Sequence, residues 1–332
     1  MISGQKGDAM RLLMILIWAV CCFAGSDASE PAVKVFVLAG QSNMEGQGVV
    51  DLDHPEYYNS GKGTLVWSMK NGQTKSKMTH LKDESGTWSV RDDVWVRYQT
   101  PHELKVGKLG IGFAVYPGKH HIGPELQVGH RLGNHLPERV LLVKVCWGGK
   151  SLFKDFRPPS AGGQTGEYYL KMVDDVRHVM ARAGDEIPDL KGARLELAGF
   201  IWFQGWNDMF DERARKEYSK NLVHLISDFR KTFAVPKLPV VIAETGNMGP
   251  EAGKNMLEIR QAQAKAAAEI QPEGSAVLVP TAGFARPKEL SPNVGHGHHW
   301  FGNAESYFLI GDAMGQAMVG LLSRERAAEP AR

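Results

Sequence analysis

The chain has 332 residues, with 39 Lys and Arg against 37 Asp and Glu and a formal net charge of +2. Apolar residues make up 43% and charged residues 23%, an ordinary globular balance in a chain long enough to bury a large core. Lys and Arg are scattered, so nothing forms the electrostatic footprint of a nucleic-acid binder.

Met10-Arg11 precedes an apolar run, Leu12 to Ala24. The run is too short to span a bilayer comfortably and has the length of a signal-peptide apolar region. Ser26-Asp27-Ala28 follows as a small-residue cleavage site. Residues 1–28 are therefore read as a signal peptide and the protein as exported, periplasmic or extracellular. A retained N-terminal anchor is the alternative, and Met10 as the start would give a tidier leader. Cys21 and Cys22 fall in this segment, which leaves Cys146 without an intrachain disulfide partner. Cys146 lies in an apolar run and suits a packed core residue. Export without disulfides is compatible with a core of this size.

Val33 to Ala39 is an apolar, β-branched run that reads as a buried strand. It stops at Gly40, and Ser42 follows at the turn. A serine there sits where open α/β sheets place their chemistry, beside backbone N–H groups that can hold an anion. Ser42-Asn43-Met44-Glu45 also fits the S-x-x-E capping box that simply starts a helix. The two readings do not exclude each other. Gly46 and Gly48 argue against a long helix.

From about 50 to 119 helical periodicity is missing. Thr64 to Trp67 and Asp93 to Tyr98 read as short strands. The segment is taken as a decorated insertion near the active face, within a single domain spanning 29–325. His121 to Leu136 opens a helix, with Pro124 in the first turn and Glu125 at the positive helix end. Glu125 is also a candidate tie between active-site loops. Arg139 to Trp147 is a second buried strand, ending at Gly148-Gly149. Tyr169, Met172, Val173, Val176 and Met180 have helical spacing. Leu195 to Phe203 is a third strand, Asp211 to Phe233 a long helix, and Leu238 to Ala243 a fourth strand ending at Glu244. Asn255 to Ile270 is helical, Ala276 to Pro280 is a fifth strand, and Ala304 to Leu322 is a closing helix. The tail at 326–332 is expected to fray.

Strands alternating with helices predict a mostly parallel five-stranded sheet in a three-layer α/β/α sandwich. Right-handed crossovers put every strand's carboxyl end on one edge. Ser42, Gly148-Gly149, Gln204 to Asp208 and Glu244 then share a crevice with the loop that carries His296, His298 and His299. Ester hydrolysis needs a hydroxyl nucleophile, a base and oxyanion donors. Ser42 is the candidate nucleophile and a histidine the candidate base. The backbone N–H groups of Ser42, Gly148 and Gly149, with the Gln204 or Asn207 amide, are the candidate donors. Gln41, Asn43, Lys150 and Trp206 are candidate substrate contacts, while Trp147 and Trp202 read as core. His296, His298 and His299 also form a dense set of metal donors, but no Cys or helical His-x-x-x-His accompanies them. No metal or cofactor is expected.

Gly40-Gln-Ser-Asn-Met44, Trp147-Gly-Gly-Lys-Ser151, Trp202-Phe-Gln-Gly205 and the late histidine resemble the sialate O-acetylesterase-type branch of the SGNH hydrolase superfamily. That branch includes carbohydrate acetylesterases, among them acetylxylan esterases. The resemblance runs from about Val33 to Met318. It implies a flavodoxin-like fold and cofactor-free removal of O-acetyl groups from sugars. Placed on that pattern, His299 is the base and Gln204 the oxyanion amide, with Asn207 in reserve. Two positions depart from it. Gln-Gly-Glu is replaced by Gln204-Gly205-Trp206-Asn207-Asp208. The aspartate three residues before the histidine is replaced by His296, so the group that orients the imidazole is missing from its place. Glu244 or Asp208 could supply it from a neighbouring strand end, or a backbone carbonyl could suffice. Otherwise the protein is a weak enzyme or a glycan binder. A phosphate- or nucleotide-binding α/β protein ranks third, since neither glycine pattern for phosphate is present.

Overall fold

β1 (Val33–Gly40) sends Val33, Val35, Val37 and Ala39 to one face and Phe36 and Leu38 to the other, and both sets are fully buried. A strand apolar on both sides needs cover on both sides, and that requirement sets the layering. The computed structural model describes residues 32–328. The expected signal peptide with Cys21 and Cys22, and residues 329–332 of the expected tail, lie outside them.

In chain order the remaining elements begin with α1 (Ser42–Glu45), β2 (Gly48–Val49), α2 (Leu65–Asn71), β3 (Val94–Gln99), β4 (Leu104–Lys108) and β5 (His121–Ile122). They continue with α3 (Glu125–His135), β6 (Val140–Cys146), α4 (Glu167–Glu186), β7 (Leu195–Phe203) and α5 (Glu212–Thr232). The last are β8 (Val240–Ala243), α6 (Lys254–Glu269), β9 (Ala276–Val279) and α7 (Ala304–Ala328). The central sheet has seven strands in the order β4-β3-β6-β1-β7-β8-β9, all parallel except β4, which runs antiparallel to β3. A small ribbon pairs β2 with β5. α3 and α7 cover the Phe36 side, and α4, α5 and α6 cover the Val35 side.

The sheet has two strands more than the five expected, both from the 50–119 segment. Asp93 to Tyr98 is a strand as predicted, but it pairs in parallel with β6 inside the sheet. Thr64 to Trp67 is no strand. Thr64 caps α2 by accepting the Trp67 N–H at 3.2 Å, and that hydrogen bond fixes the first helical turn. α7 runs through Ala328, into the stretch expected to fray.

Lys144 of β6 and Glu125 of α3 form an ion pair at 2.7 Å, and both side chains are essentially without solvent contact. The ammonium also donates to the carbonyls of Glu45 (2.9 Å) and Phe113 (2.7 Å). The second carboxylate oxygen of Glu125 accepts the Gly123 N–H at 2.9 Å. Every strong polar valence is filled, which is the condition for tolerating charge in a dry interior. The pair therefore holds the end of α1 and the loops at 113 and 123 against the end of β6. Glu125→Ala should destabilise the fold by about 3–5 kcal/mol, because it leaves a buried ammonium without its counter-charge. Urea denaturation of the variant and the parent protein measures this.

Candidate active site

The chain leaves β1 at Gly40, where a Cβ would lie 2.1 Å from the Phe203 carbonyl oxygen. Only glycine lets the ends of β1 and β7 approach this closely. Gln41, not Ser42, is the N-cap of α1, and no side chain completes the cap. The S-x-x-E capping box does not form. Burial pushes the Glu45 carboxyl above its usual range, against the opposing pull of the Gly148 N–H and Lys144. Ser42 is thus left free of the capping role.

Ser42 Oγ lies 3.0 Å from Nε2 of His299. The two residues are 257 positions apart and meet above the carboxyl-terminal edge of the sheet. Burial first, then the neighbouring His298 and His296, depress the His299 imidazole to about 3. A neutral ring that keeps a lone pair beside a hydroxyl can accept its proton. His298 is not the residue on Ser42. Its ring packs, tilted, against those of His299 (4.1 Å between centroids) and Trp206 (5.7 Å). Among the described residues, no group of His, Cys, Asp or Glu converges as metal ligands would.

Neither candidate carboxylate reaches the imidazole. Glu244 accepts the N–H groups of Thr281 and Ala282, both at 3.0 Å, and so closes the turn after β9. Asp208 accepts the N–H groups of Leu152 (2.9 Å) and Phe153 (2.8 Å) and an amide hydrogen of Gln204 (2.6 Å). Burial raises Asp208 to about 6 despite these three donors. Both carboxylates secure loops instead of orienting His299.

The candidate donors sort in the same way. Gln204 is buried and donates to the Lys150 carbonyl and to Asp208, while its Oε1 accepts from Tyr218. It has no hydrogen left for an oxyanion. Asn207 spends one amide hydrogen on the Gly149 carbonyl at 2.8 Å and keeps the other. Gly148 turns its N–H to Glu45. The Gly149 backbone is exposed, and the Ser42 N–H belongs to a first helical turn, which offers it no intrahelical acceptor.

Three of the four expected substrate contacts are engaged elsewhere. Gln41 is buried and bridges Asn207 and the Gly205 N–H. Asn43 is buried with both ends of its amide occupied. Lys150 places its ammonium over the Tyr168 ring at 4.3 Å. Trp206 remains half-exposed at the site. It forms one wall of a groove of about 390 Å³ that is lined further by Met209, Phe210, Met248 and Met256. Phe210 is 67% exposed, unusual for an aromatic ring. Sequence reading passed over Phe210, Asn247 and Tyr307. Phe210 carries a weak signal as an aromatic just beyond the third strand's loop; the other two carry none.

A depressed folded-state value means that the native imidazole resists a proton that the unfolded chain would take up near pH 6.5. An NMR titration should therefore show the His299 ring neutral from pH 8 to pH 5. Folding stability should fall as pH drops below about 6.5, with His299 contributing to that loss until protonation near 3.

Residues 32–319 match the family model described as carbohydrate esterase, sialic acid-specific acetylesterase. A probable carbohydrate esterase of Arabidopsis thaliana is 23% identical over 211 residues, covering 64% of this chain and 68% of the relative. Three solved structures share the fold at low identity. An Arabidopsis thaliana protein aligns with TM-score 0.56 and 17% identity over 87% of this chain and 99% of its own. A carbohydrate acetylesterase from Xanthomonas citri aligns at 0.54 and 12% over 87% and 57%. NanS aligns at 0.53 and 14% over 89% and 99%. A family match across nearly all the described residues places this chain in the sialic acid-specific acetylesterase family of carbohydrate esterases.

Proposed function

We propose that this protein is an exported serine esterase that removes O-acetyl groups from carbohydrate, with Ser42 as nucleophile and His299 as base. The single observation behind the reading is the 3.0 Å approach of Ser42 Oγ to His299 Nε2 at the loop edge of the sheet. Export rests on the N-terminal apolar run alone.

In this reading the Ser42 hydroxyl attacks the acetyl carbonyl as its proton passes to His299 Nε2. The tetrahedral oxyanion takes hydrogen bonds from the Ser42 N–H, the Gly149 N–H and the uncommitted Asn207 amide hydrogen. The imidazolium returns its proton to the departing sugar oxygen and leaves Ser42 acetylated. His299 then deprotonates a water that attacks the acetyl group. Collapse of that second intermediate releases acetic acid and restores the serine. No step calls for a cofactor. The sugar ring lies on the half-exposed Trp206.

One observation favours a second reading, a catalytically weak relative that binds glycans in the same crevice. The imidazolium of a triad enzyme is stabilised by a carboxylate, and here Glu244 and Asp208 are both engaged elsewhere. Hydrolysis of 4-nitrophenyl acetate and of acetylated xylo-oligosaccharides separates the two. The esterase reading expects turnover by the parent protein and its loss in both Ser42→Ala and His299→Ala. Rates in the two variants equal to the parent's would leave only the binder.

Asn207→Ala should lower kcat by about 10²–10³-fold, the cost of losing one oxyanion donor, whereas Gln204 substitutions should act through stability. The activity should stay flat down to about pH 5, because a base depressed to about 3 remains neutral there. An inflection near 6.5 in kcat/KM would overturn the depressed basicity of His299, and its loss in His299→Ala would still identify that ring as the base.

A further inference from the structure

The segment that carries His299 is held by its main chain. The His298 carbonyl accepts from the Asn43 amide at 3.0 Å and from the Asn247 amide at 3.3 Å. The next carbonyl, that of His299 itself, accepts from the Tyr307 hydroxyl at 3.4 Å, and the same hydroxyl donates to Asn43 Oδ1 at 2.7 Å. Asn247 and Tyr307 are fully buried and Asn43 nearly so. On its amino side, the His296 carbonyl accepts the N–H groups of His299 (2.9 Å) and Phe301 (3.0 Å).

These contacts lie on both sides of the His299 Cα, and they come from three separate parts of the chain. Asn43 is the immediate neighbour of Ser42. Asn247 follows β8, and Tyr307 lies in the first turns of α7. The geometry points to Asn43, Asn247 and Tyr307 as positioning residues that set the imidazole against Ser42 through the carbonyls flanking it. They take over the orienting task that a carboxylate performs on the ring itself, and this assignment rests on the Ser42–His299 reading above. Because Asn43 is bonded to the serine's own backbone, any shift of the nucleophile carries the base with it. Two hydrogen bonds of ordinary length, from Tyr307 to Asn43 (2.7 Å) and from Asn43 to the His298 carbonyl (3.0 Å), and two longer ones of 3.3 and 3.4 Å fix this register without burying another charge. They leave the ring without a carboxylate neighbour, in keeping with its depressed basicity.

The test uses near-isosteric variants of the full chain: Asn43→Leu, Asn247→Leu and Tyr307→Phe. Tyr307→Phe keeps the buried ring and is the variant that should fold if either leucine does not. With an acetyl ester as substrate, each should lose about 10²-fold in kcat, the scale of a displacement of about 1 Å, at nearly unchanged KM. The acidic limb of the pH profile should not move, since no charge is removed. Asn43→Leu and Tyr307→Phe should be non-additive, because the tyrosine hydroxyl acts partly through the asparagine. A folded Tyr307→Phe protein with parental kcat, or one in which kcat and KM change together, overturns the assignment.

A second readout needs no activity. The ¹⁵N resonances of the His299 ring should shift in Tyr307→Phe, although the hydroxyl contacts only main chain and Asn43. Unchanged ring resonances refute the positioning role. If the ring responds but His299→Ala keeps full esterase activity, the clamp stands and the choice of base is wrong.

Discussion

A hydroxyl at the end of the first strand and an imidazole beyond the last one can meet only if the strands between them run in the same direction. Parallel pairing imposes that rule, and it brings the carboxyl ends of β1, β6, β7, β8 and β9 to one edge. The remaining requirement is local. The turn after β1 must be rigid enough to serve as a reference for everything that docks on it. The buried Lys144–Glu125 pair provides this from below, since its ammonium holds the Glu45 carbonyl at the end of α1. Gly40 provides it from the side, where β1 and β7 nearly touch. Asn43 and Gln41 then extend the same turn outward, one to the histidine loop and one to the loop after β7.

Much of this was legible in the sequence because burial leaves a periodic mark. The apolar runs at 33–39, 139–147 and 195–203 predict the three inner strands almost to the residue. The same reading undercounts the sheet. β3 and β4 lie in a stretch rich in Gly, Asp and Lys, and β4 is an edge strand with little buried surface. Thr64 misleads because threonine suits strands and helix caps alike, and only the Trp67 N–H decides between them.

Of the candidate site, the serine, the histidine and the glycine loop could be read from residue type and position at strand ends. The partners of the polar side chains could not. Gln204, Asp208, Glu244 and Asn43 all look like free functional groups in the sequence. In the fold each is consumed by a backbone group or a neighbour that only tertiary structure supplies. Spacing reports that a carboxylate is close to the crevice; it does not report that two N–H groups have already claimed it. Tyr307 was hidden for the opposite reason, as one more apolar position in a helix that is buried nearly all round.

After His299 the chain passes through Trp300, Phe301 and Gly302 with φ of 53°, 55° and 67°. Two bulky residues in the left-handed region each cost about 1–3 kcal/mol, and they persist only where the surroundings enforce them. The imidazole therefore sits at the end of a wound spring. Letting go of the restraint would let the turn unwind toward ordinary backbone geometry and carry the ring with it. Alignment at Ser42 is thus held against a strained backbone, and the contacts on the two histidine carbonyls are what oppose it.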